Sequence, residues 1–271
     1  MSNIEKTNHY PSESFADSFL SASPRIRRGA AVPLREKPRC ASRKQGGDYL
    51  LFSPIHYEPG YAYPLIIWFH RPGADETELF RVMPKLSLRN YVAAAPRGLT
   101  IDEAQSGPMI RQRPIDGLAG QFRPLYDWPE TEQGIEEAEN RVFETIGRSK
   151  LRCNIADRRV FLAGIDSGGT MALRIGARNP ERIAGVVSFS GSFPTSHLPL
   201  QRWSQIRDLP MMMAVGARNP VFSPESVSEQ LRLFHTAGMS VSIRQYKTAD
   251  ETTPQMFQDA NRWIMEQVTG S

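Results

Sequence analysis

The stretch Val160–Gly169 ends an apolar run in a short, glycine-flanked turn that could present a reactive side chain. It reads VFLAGIDSGG: Gly164 closes the apolar run, and the pair Gly168–Gly169 opens a segment with helical spacing. A serine nucleophile on such a strand-to-helix turn stands in the pattern Gly-x-Ser-x-Gly, and here that position is Asp166. A carboxylate there lies at a helix N-terminus, where the helix dipole stabilises negative charge. The turn therefore predicts a site with an acid in place of a hydroxyl nucleophile and with Ser167 beside it.

Alternating strands and helices surround this turn and must hold it in place. Strands are predicted at Tyr49–Tyr57, Tyr63–His70, Tyr91–Ala95, Arg159–Ile165, Ile183–Ser190, Met211–Gly216 and Ser240–Tyr246, and helices at Glu76–Leu88, Thr131–Lys150, Gly168–Asn179, Ser226–Ala237 and Pro254–Val268. Residues 99–130 are rich in Pro and Gly and are predicted to be a loop or lid. The alternation predicts an α/β domain over residues 48–271, with a mostly parallel central sheet and helices on both faces.

Charge and cysteine content separate the N-terminal segment from this domain. The net charge is +4, yet residues 21–47 hold eight basic residues and one acidic residue. Residues 1–47 are therefore predicted to be a basic, disordered tail whose partner is unknown, and nucleic-acid binding is disfavoured because no aromatic residues interleave the charges. No signal pattern or membrane-length apolar run is seen, and Cys40 and Cys153 lack metal-ligand spacing. We expect a cytoplasmic protein with no membrane association, no metal and no cofactor.

Several of these segments together resemble the α/β-hydrolase superfamily, specifically its small carboxylesterase and phospholipase-like branch. The similarity runs from about Asp48 to the C-terminus. It is carried by the segment His70-Arg71-Pro72-Gly73 after an apolar strand, by the turn Ala163–Thr170, by Pro180–Gly185 leading into the next strand, and by Ser188–Gly191. The resemblance implies the α/β-hydrolase fold and an ancestral reaction of carboxylic ester hydrolysis.

The resemblance also implies where a serine–acid–histidine triad would lie. The serine position is Asp166, the acid after the penultimate strand corresponds to Asn219, and the histidine after the last strand corresponds to Asp250. All three residue types have changed. The triad-equivalent positions are thus predicted not to form a working triad.

The oxyanion-hole region departs from the family pattern as well. The loop His70–Gly73 would supply one backbone N–H from the position of Pro72, which has none, and Arg71 replaces a glycine. The second donor would be the N–H of Ser167, whose hydroxyl we expect to bond free N–H groups in the first helical turn.

Two functions from different classes remain open. The first is a pseudo-hydrolase that binds a small-molecule ligand or ester in a retained pocket, lined in part by Met109, Ile110, Trp128 and Phe193. The second is an active hydrolase that uses Asp166 as nucleophile, as related branches of the fold do, or joins it to Asp250 in a carboxylate or metal site. A nucleophilic Asp166 needs a histidine base, and His197 is the candidate in reach of the site.

Overall fold

Seven strands form the central sheet of this chain. The computed structural model describes residues 48–101, 114–115, 118–122, 124–194, 196, 203–249 and 251–270. The predicted tail, residues 1–47, lies outside the described residues, so its boundary stays a prediction. The strands of the sheet are β1 (Tyr49–Phe52), β2 (Tyr63–Phe69), β3 (Val92–Pro96), β8 (Ile155–Ile165), β9 (Gly185–Phe189), β10 (Met211–Gly216) and β11 (Val241–Tyr246). Their order is β1-β3-β2-β8-β9-β10-β11, and every pairing is parallel except that of β1 with β3.

Helices cover both faces of this sheet, and alternate residues of each strand pack against them. The helices are α1 (Leu79–Leu86), α2 (Glu132–Lys150), α3 (Ser167–Arg178), α4 (Trp203–Asp208), α5 (Pro224–Thr236) and α6 (Pro254–Thr269). Along β2, Leu65, Ile67 and Phe69 enter the core beneath α2, α3 and α5, whereas Ile66 and Trp68 enter the core beneath α1 and α6. A strand that is buried on both faces needs this unbroken apolar sequence. The predicted α/β-hydrolase fold class, with a mostly parallel sheet covered on both sides, is confirmed.

The structure corrects several predicted element boundaries. The first strand ends at Phe52 instead of Tyr57, because Ser53-Pro54 interrupts it and His56 adopts a left-handed φ of 60°. Residues 99–130 contain short strands, β4 (Leu99–Ile101), β5 (Pro114–Ile115), β6 (Leu118–Phe122) and β7 (Leu125–Asp127), in the pairs β4–β7 and β5–β6. Such short strands, like the six-residue α4, contain too few residues to show a hydrophobic period. In the described part of the chain, no helix combines the length and the apolar character needed to cross a membrane.

Candidate functional site

The predicted site lies where the central parallel strands end together. Register pairs Phe69 with Gly164, Ile165 with Phe189, and Gly216 with Tyr246. The segments that follow these strands therefore meet at one edge of the sheet. In open α/β sheets, this carboxyl edge is where ligands bind.

Asp166 occupies the tip of the sharp turn between β8 and α3. Its backbone has φ 53° and ψ −122°, the positive φ expected there, and it is half-buried. The turn is tight because a Cβ on Gly164 would lie 2.5 Å from the carbonyl oxygen of Gly168, and a Cβ on Gly168 would lie 2.5 Å from that of His70. Gly169 is equally confined, since its Cβ would lie 2.5 Å from Ser188 Oγ. The chain thus keeps the backbone of a nucleophile turn and places a carboxylate on it.

Ser167 is the first residue of α3, and its hydroxyl has a different partner from the one expected. It donates a short hydrogen bond to Oδ1 of Asp127, on β7, rather than bonding backbone N–H groups of its own helix. The same Asp127 oxygen accepts the backbone N–H of Trp128 at 2.8 Å. Asp127 lies on β7, which pairs with β4, and it is 40 residues away from Ser167 in the chain. The sequence alone therefore did not indicate that Asp127 and Ser167 are in contact. The hydroxyl of Ser167 is thus held by a carboxylate that already has a second donor.

His70 is fully buried and acts as a structural residue. Its Nε2 accepts the backbone N–H of Gly98 at 2.9 Å, so the proton of the neutral ring lies on Nδ1, which donates to the carbonyl of Arg71 at 2.9 Å. Burial lowers the pKa of His70 below 6.5, and the nearby carboxylates of Glu78 and Asp127 only partly oppose that effect. Both ring nitrogens are therefore occupied by the loops they hold together, and neither is available as a general base.

The loop after His70 has no backbone donor to offer an oxyanion. The N–H of Arg71 donates to Glu78 Oε2 at 3.1 Å, Pro72 has no N–H, and the N–H of Gly73 donates to the carbonyl of Tyr126 at 2.9 Å. The next N–H, that of Ala74, donates to the carbonyl of Arg71 at 3.1 Å.

Glu78 organises this loop from the short 3-10 helix that precedes α1. Its carboxylate is buried and accepts Arg71 Nε at 2.6 Å, the Arg71 N–H, and Trp68 Nε1 at 3.0 Å. Sequence reasoning missed Glu78, although its position four residues before the buried Val82 could have indicated a buried face. The side chain and the backbone N–H of Arg71 are therefore both hydrogen-bonded to Glu78.

Asn219 and the segment before Asp250 lie side by side at the same edge. The side chain of Asn219 caps a 3-10 helix (Pro220–Phe222) by accepting the N–H of Val221 at 2.8 Å. The neighbouring Arg218 N–H donates to the carbonyl of Thr248 at 2.9 Å. Asp250 itself lies outside the described residues, so its part in the site stays a prediction.

A cleft of about 240 Å³ opens beside the turn that carries Asp166. One wall is the loop with Arg71 and Gly73, and Ile165 of β8 lies next to it. Val82 of α1 and Phe257 of α6 contribute apolar surface. The cleft therefore lies at the carboxyl edge of the sheet, where the family resemblance implies a substrate pocket.

Trp128 and Phe193, two of the residues expected to line a pocket, are not among the residues that line this cleft. Trp128 is buried, donates Nε1 to the carbonyl of His70 at 3.0 Å and stacks edge-on against Phe69, so it supports the loop from below. Phe193 packs against Phe234. Met109, Ile110 and His197 lie outside the described residues.

Potential metal ligands are sparse in the part of the chain that the structure describes. There, no group of three or more His, Cys, Asp or Glu side chains is arranged to hold a metal ion. The other described histidines, His56 and His235, are exposed in a turn and near the end of α5. The idea of a carboxylate or metal site formed by Asp166 and Asp250 is untested, because it needs Asp250.

Comparison with known proteins connects this geometry to one family. Residues 61–267 match the family model described as phospholipase/carboxylesterase. The curated acyl-protein thioesterase 1 homolog 2 of Dictyostelium discoideum is 26% identical over 88 residues, which span 32% of this chain and 39% of that protein. The matched segment is thus well under half of the relative.

Solved structures resemble the whole described domain at low sequence identity. A carboxylesterase from Mesorhizobium loti superposes with a TM-score of 0.61 at 14% identity, covering 83% of this chain and 98% of that one. Acyl-protein thioesterase 2 of Zea mays gives a TM-score of 0.59 at 17% identity, covering 82% and 99%. These likenesses show the shared fold.

Proposed function

Because this chain belongs to the phospholipase/carboxylesterase family of α/β-hydrolases, we propose that it binds a small organic molecule at the family's site without serine-dependent ester hydrolysis. It keeps the sheet, the sharp turn and a cleft beside that turn. At the three triad-equivalent positions it carries Asp166, Asn219 and Asp250 in place of serine, acid and histidine. The binding function rests on the cleft, and the loss of hydrolysis rests on the turn.

The observation that carries this proposal is the carboxylate of Asp166 at the tip of the strained turn. Serine hydrolysis begins when a base removes a hydroxyl proton and the oxygen attacks the ester carbonyl. A carboxylate attacking the same carbonyl would form an acid anhydride and expel an alkoxide, a far poorer leaving group than the carboxylate itself. The turn thus positions a group that is unsuited to ester cleavage.

The loop opposite this turn supports the same proposal. An ester's tetrahedral intermediate needs backbone donors for its oxyanion, and removing one donor raises the barrier by about 3 kcal/mol. The N–H groups of Arg71, Gly73 and Ala74 are bonded within the protein, and Pro72 has none. Freeing one of them would require breaking an existing hydrogen bond.

A second candidate is an active hydrolase in which Asp166 is the nucleophile or shares a carboxylate or metal site with Asp250. The position of Asp166 at the turn tip favours it, since carboxylate nucleophiles of this fold use the same place. Such an enzyme needs a base to activate water against the covalent intermediate. His70 is unsuited because both of its ring nitrogens are bonded. The variant Asp166→Asn separates the candidates, because only an enzyme of this second kind would lose an activity or a bound metal.

Labelling with a fluorophosphonate probe tests the absence of serine catalysis. We expect no labelling of the wild-type protein, because the hydroxyl of Ser167 is bonded to Asp127 and, among the described residues, no histidine is bonded to it. Ser167→Ala is the matched control. Labelling of the wild type that disappears in Ser167→Ala would refute the proposal.

The cellular location belongs to the proposal as well. Cys153 is a buried free thiol, and burial raises its pKa, so it is protected from oxidation. With only one other cysteine, Cys40, in the chain, a reducing compartment suits the protein, and we place it in the cytoplasm. Cell fractionation tests this: recovery in an exported fraction would contradict it.

A further inference from the structure

Two cations line the cleft beside the turn of Asp166, and no ion pair with an acid is seen for either in the described part of the chain. Arg81 and Lys85 line it from α1, four residues apart, which places them on the same side of the helix. Both are exposed, and neither forms an ion pair with any acid in the described part of the chain. Two neighbouring like charges repel each other, and an anion between them relieves that repulsion.

The acids that share the cleft are already engaged elsewhere. Glu78 accepts hydrogen bonds from Trp68 Nε1 and from two nitrogens of Arg71. Asp75 accepts from the backbone N–H and the hydroxyl of Thr77. Both oxygens of Glu78 and Oδ1 of Asp75 are bonded to these partners, and neither acid forms an ion pair with Arg81 or Lys85. Their charges nevertheless disfavour a ligand with more than one negative charge.

Most of the cleft's lining surface is polar, but a smaller part is apolar and can contact a small apolar ligand body. Val82, Leu125, Ile165 and Phe257 line it, and the ammonium of Lys85 lies 5.4 Å from the ring centroid of Phe257. That cation–π contact holds the positive charge beside the apolar surface. The volume of about 240 Å³ lies just below the ~300–1,000 Å³ typical of ligand pockets, which favours a small molecule over a long lipid chain.

We propose that this cleft binds a small organic monocarboxylate, with its carboxylate at Arg81 and Lys85 and its apolar body against Val82 and Phe257. This inference rests on the proposed function and names its ligand class. Arg71 shapes the wall, but its charge is largely used by Glu78. The ligand is thus the acid itself, and no ester bond needs to be broken.

Calorimetric titration with three probes tests the ligand class: benzoate, the neutral isostere benzamide, and inorganic phosphate. We expect wild-type protein to bind benzoate at least about tenfold more tightly than benzamide or phosphate. Benzamide cannot form the charge-assisted contacts, and phosphate cannot form the apolar contacts. Raising the ionic strength should weaken benzoate binding alone. Absence of benzoate binding, or equal binding of benzamide, would overturn the inference, and tighter binding of phosphate would overturn the carboxylate class.

Substitutions locate the binding. Arg81→Gln with Lys85→Gln should weaken benzoate at least about tenfold, whereas Arg89→Gln, an exposed arginine just beyond α1 and outside the cleft, should leave it unchanged. Equal affinity of the double variant and the wild type would overturn the inference.

Hydrolysis of 4-nitrophenyl benzoate, measured on the same samples, separates this inference from the proposed function. Turnover by the wild type would refute the proposed function, whereas loss of benzoate selectivity without turnover refutes this inference alone.

Discussion

Removal of the Glu78 carboxylate should destabilise the protein, because that acid satisfies buried donors around the site. In Glu78→Ala, the indole N–H of Trp68 loses its acceptor at 3.0 Å, and Trp68 is fully buried. An unsatisfied buried donor costs about 1–3 kcal/mol. The ion pair with Arg71 adds about 0–1 kcal/mol, since the Arg71 side chain is 50% exposed and solvent screens it. The expected loss is about 1–4 kcal/mol of unfolding free energy.

Urea denaturation of three variants measures this loss. Glu78→Gln keeps an acceptor for Trp68, while its amide N–H₂ faces Arg71, which can turn to solvent, so we expect a loss of about 1 kcal/mol. Glu136→Ala, an exposed acid of α2, is the control and should stay within about 0.5 kcal/mol of wild type. A Glu78→Ala variant as stable as the control would refute the claim that Glu78 holds the loop.

Three further changes test other parts of the structure. Asp166→Val should lower the unfolding free energy by about 1–3 kcal/mol, because a β-branched residue tolerates φ 53° poorly. Asp166→Asn should stay within about 0.5 kcal/mol of wild type in the same urea assay. Equal losses in the two variants would argue against strain at the turn. Since the pKa of His70 is lowered on folding, the unfolded chain takes up a proton near pH 6.5 that the folded chain does not. The unfolding free energy should therefore fall by up to about 1.4 kcal/mol per pH unit below that pH, and it should fall less steeply in His70→Gln. Identical pH profiles of wild type and His70→Gln would contradict the burial effect. Deleting residues 1–45 should leave the melting temperature nearly unchanged, as few apolar groups are lost, and a large drop would show that the segment packs on the domain.

The fold was predictable from sequence because its central strands are buried on both faces. The strand Met211–Gly216 was predicted with the bounds that the structure shows, since its apolar run has no polar interruption. The helix predicted over Thr131–Lys150 begins at Glu132 in the structure, because Thr131 is its N-terminal cap. Short elements such as β4 and α4 escaped prediction because their few residues show no periodicity.

The site was predictable only where the backbone geometry requires particular residue types, such as glycine, at fixed positions in the sequence. The turn at Asp166 was recognised because Gly164 and Gly168 are required by contacts closer than a Cβ allows. The acids Glu78 and Asp127 were missed because their donors come from distant segments. An acid that is buried by tertiary contacts has the same local sequence as one on the surface.

The most direct test of the account is the turnover of 4-nitrophenyl acetate by the wild-type chain and by a reverted chain, side by side. The reverted chain carries Asp166→Ser, Asn219→Asp, Asp250→His and Pro72→Leu, and Asp166→Asn is the third protein. The account predicts that wild type and Asp166→Asn stay at the buffer rate, whereas the reverted chain hydrolyses the ester. Turnover by the wild type that vanishes in Asp166→Asn would contradict the account.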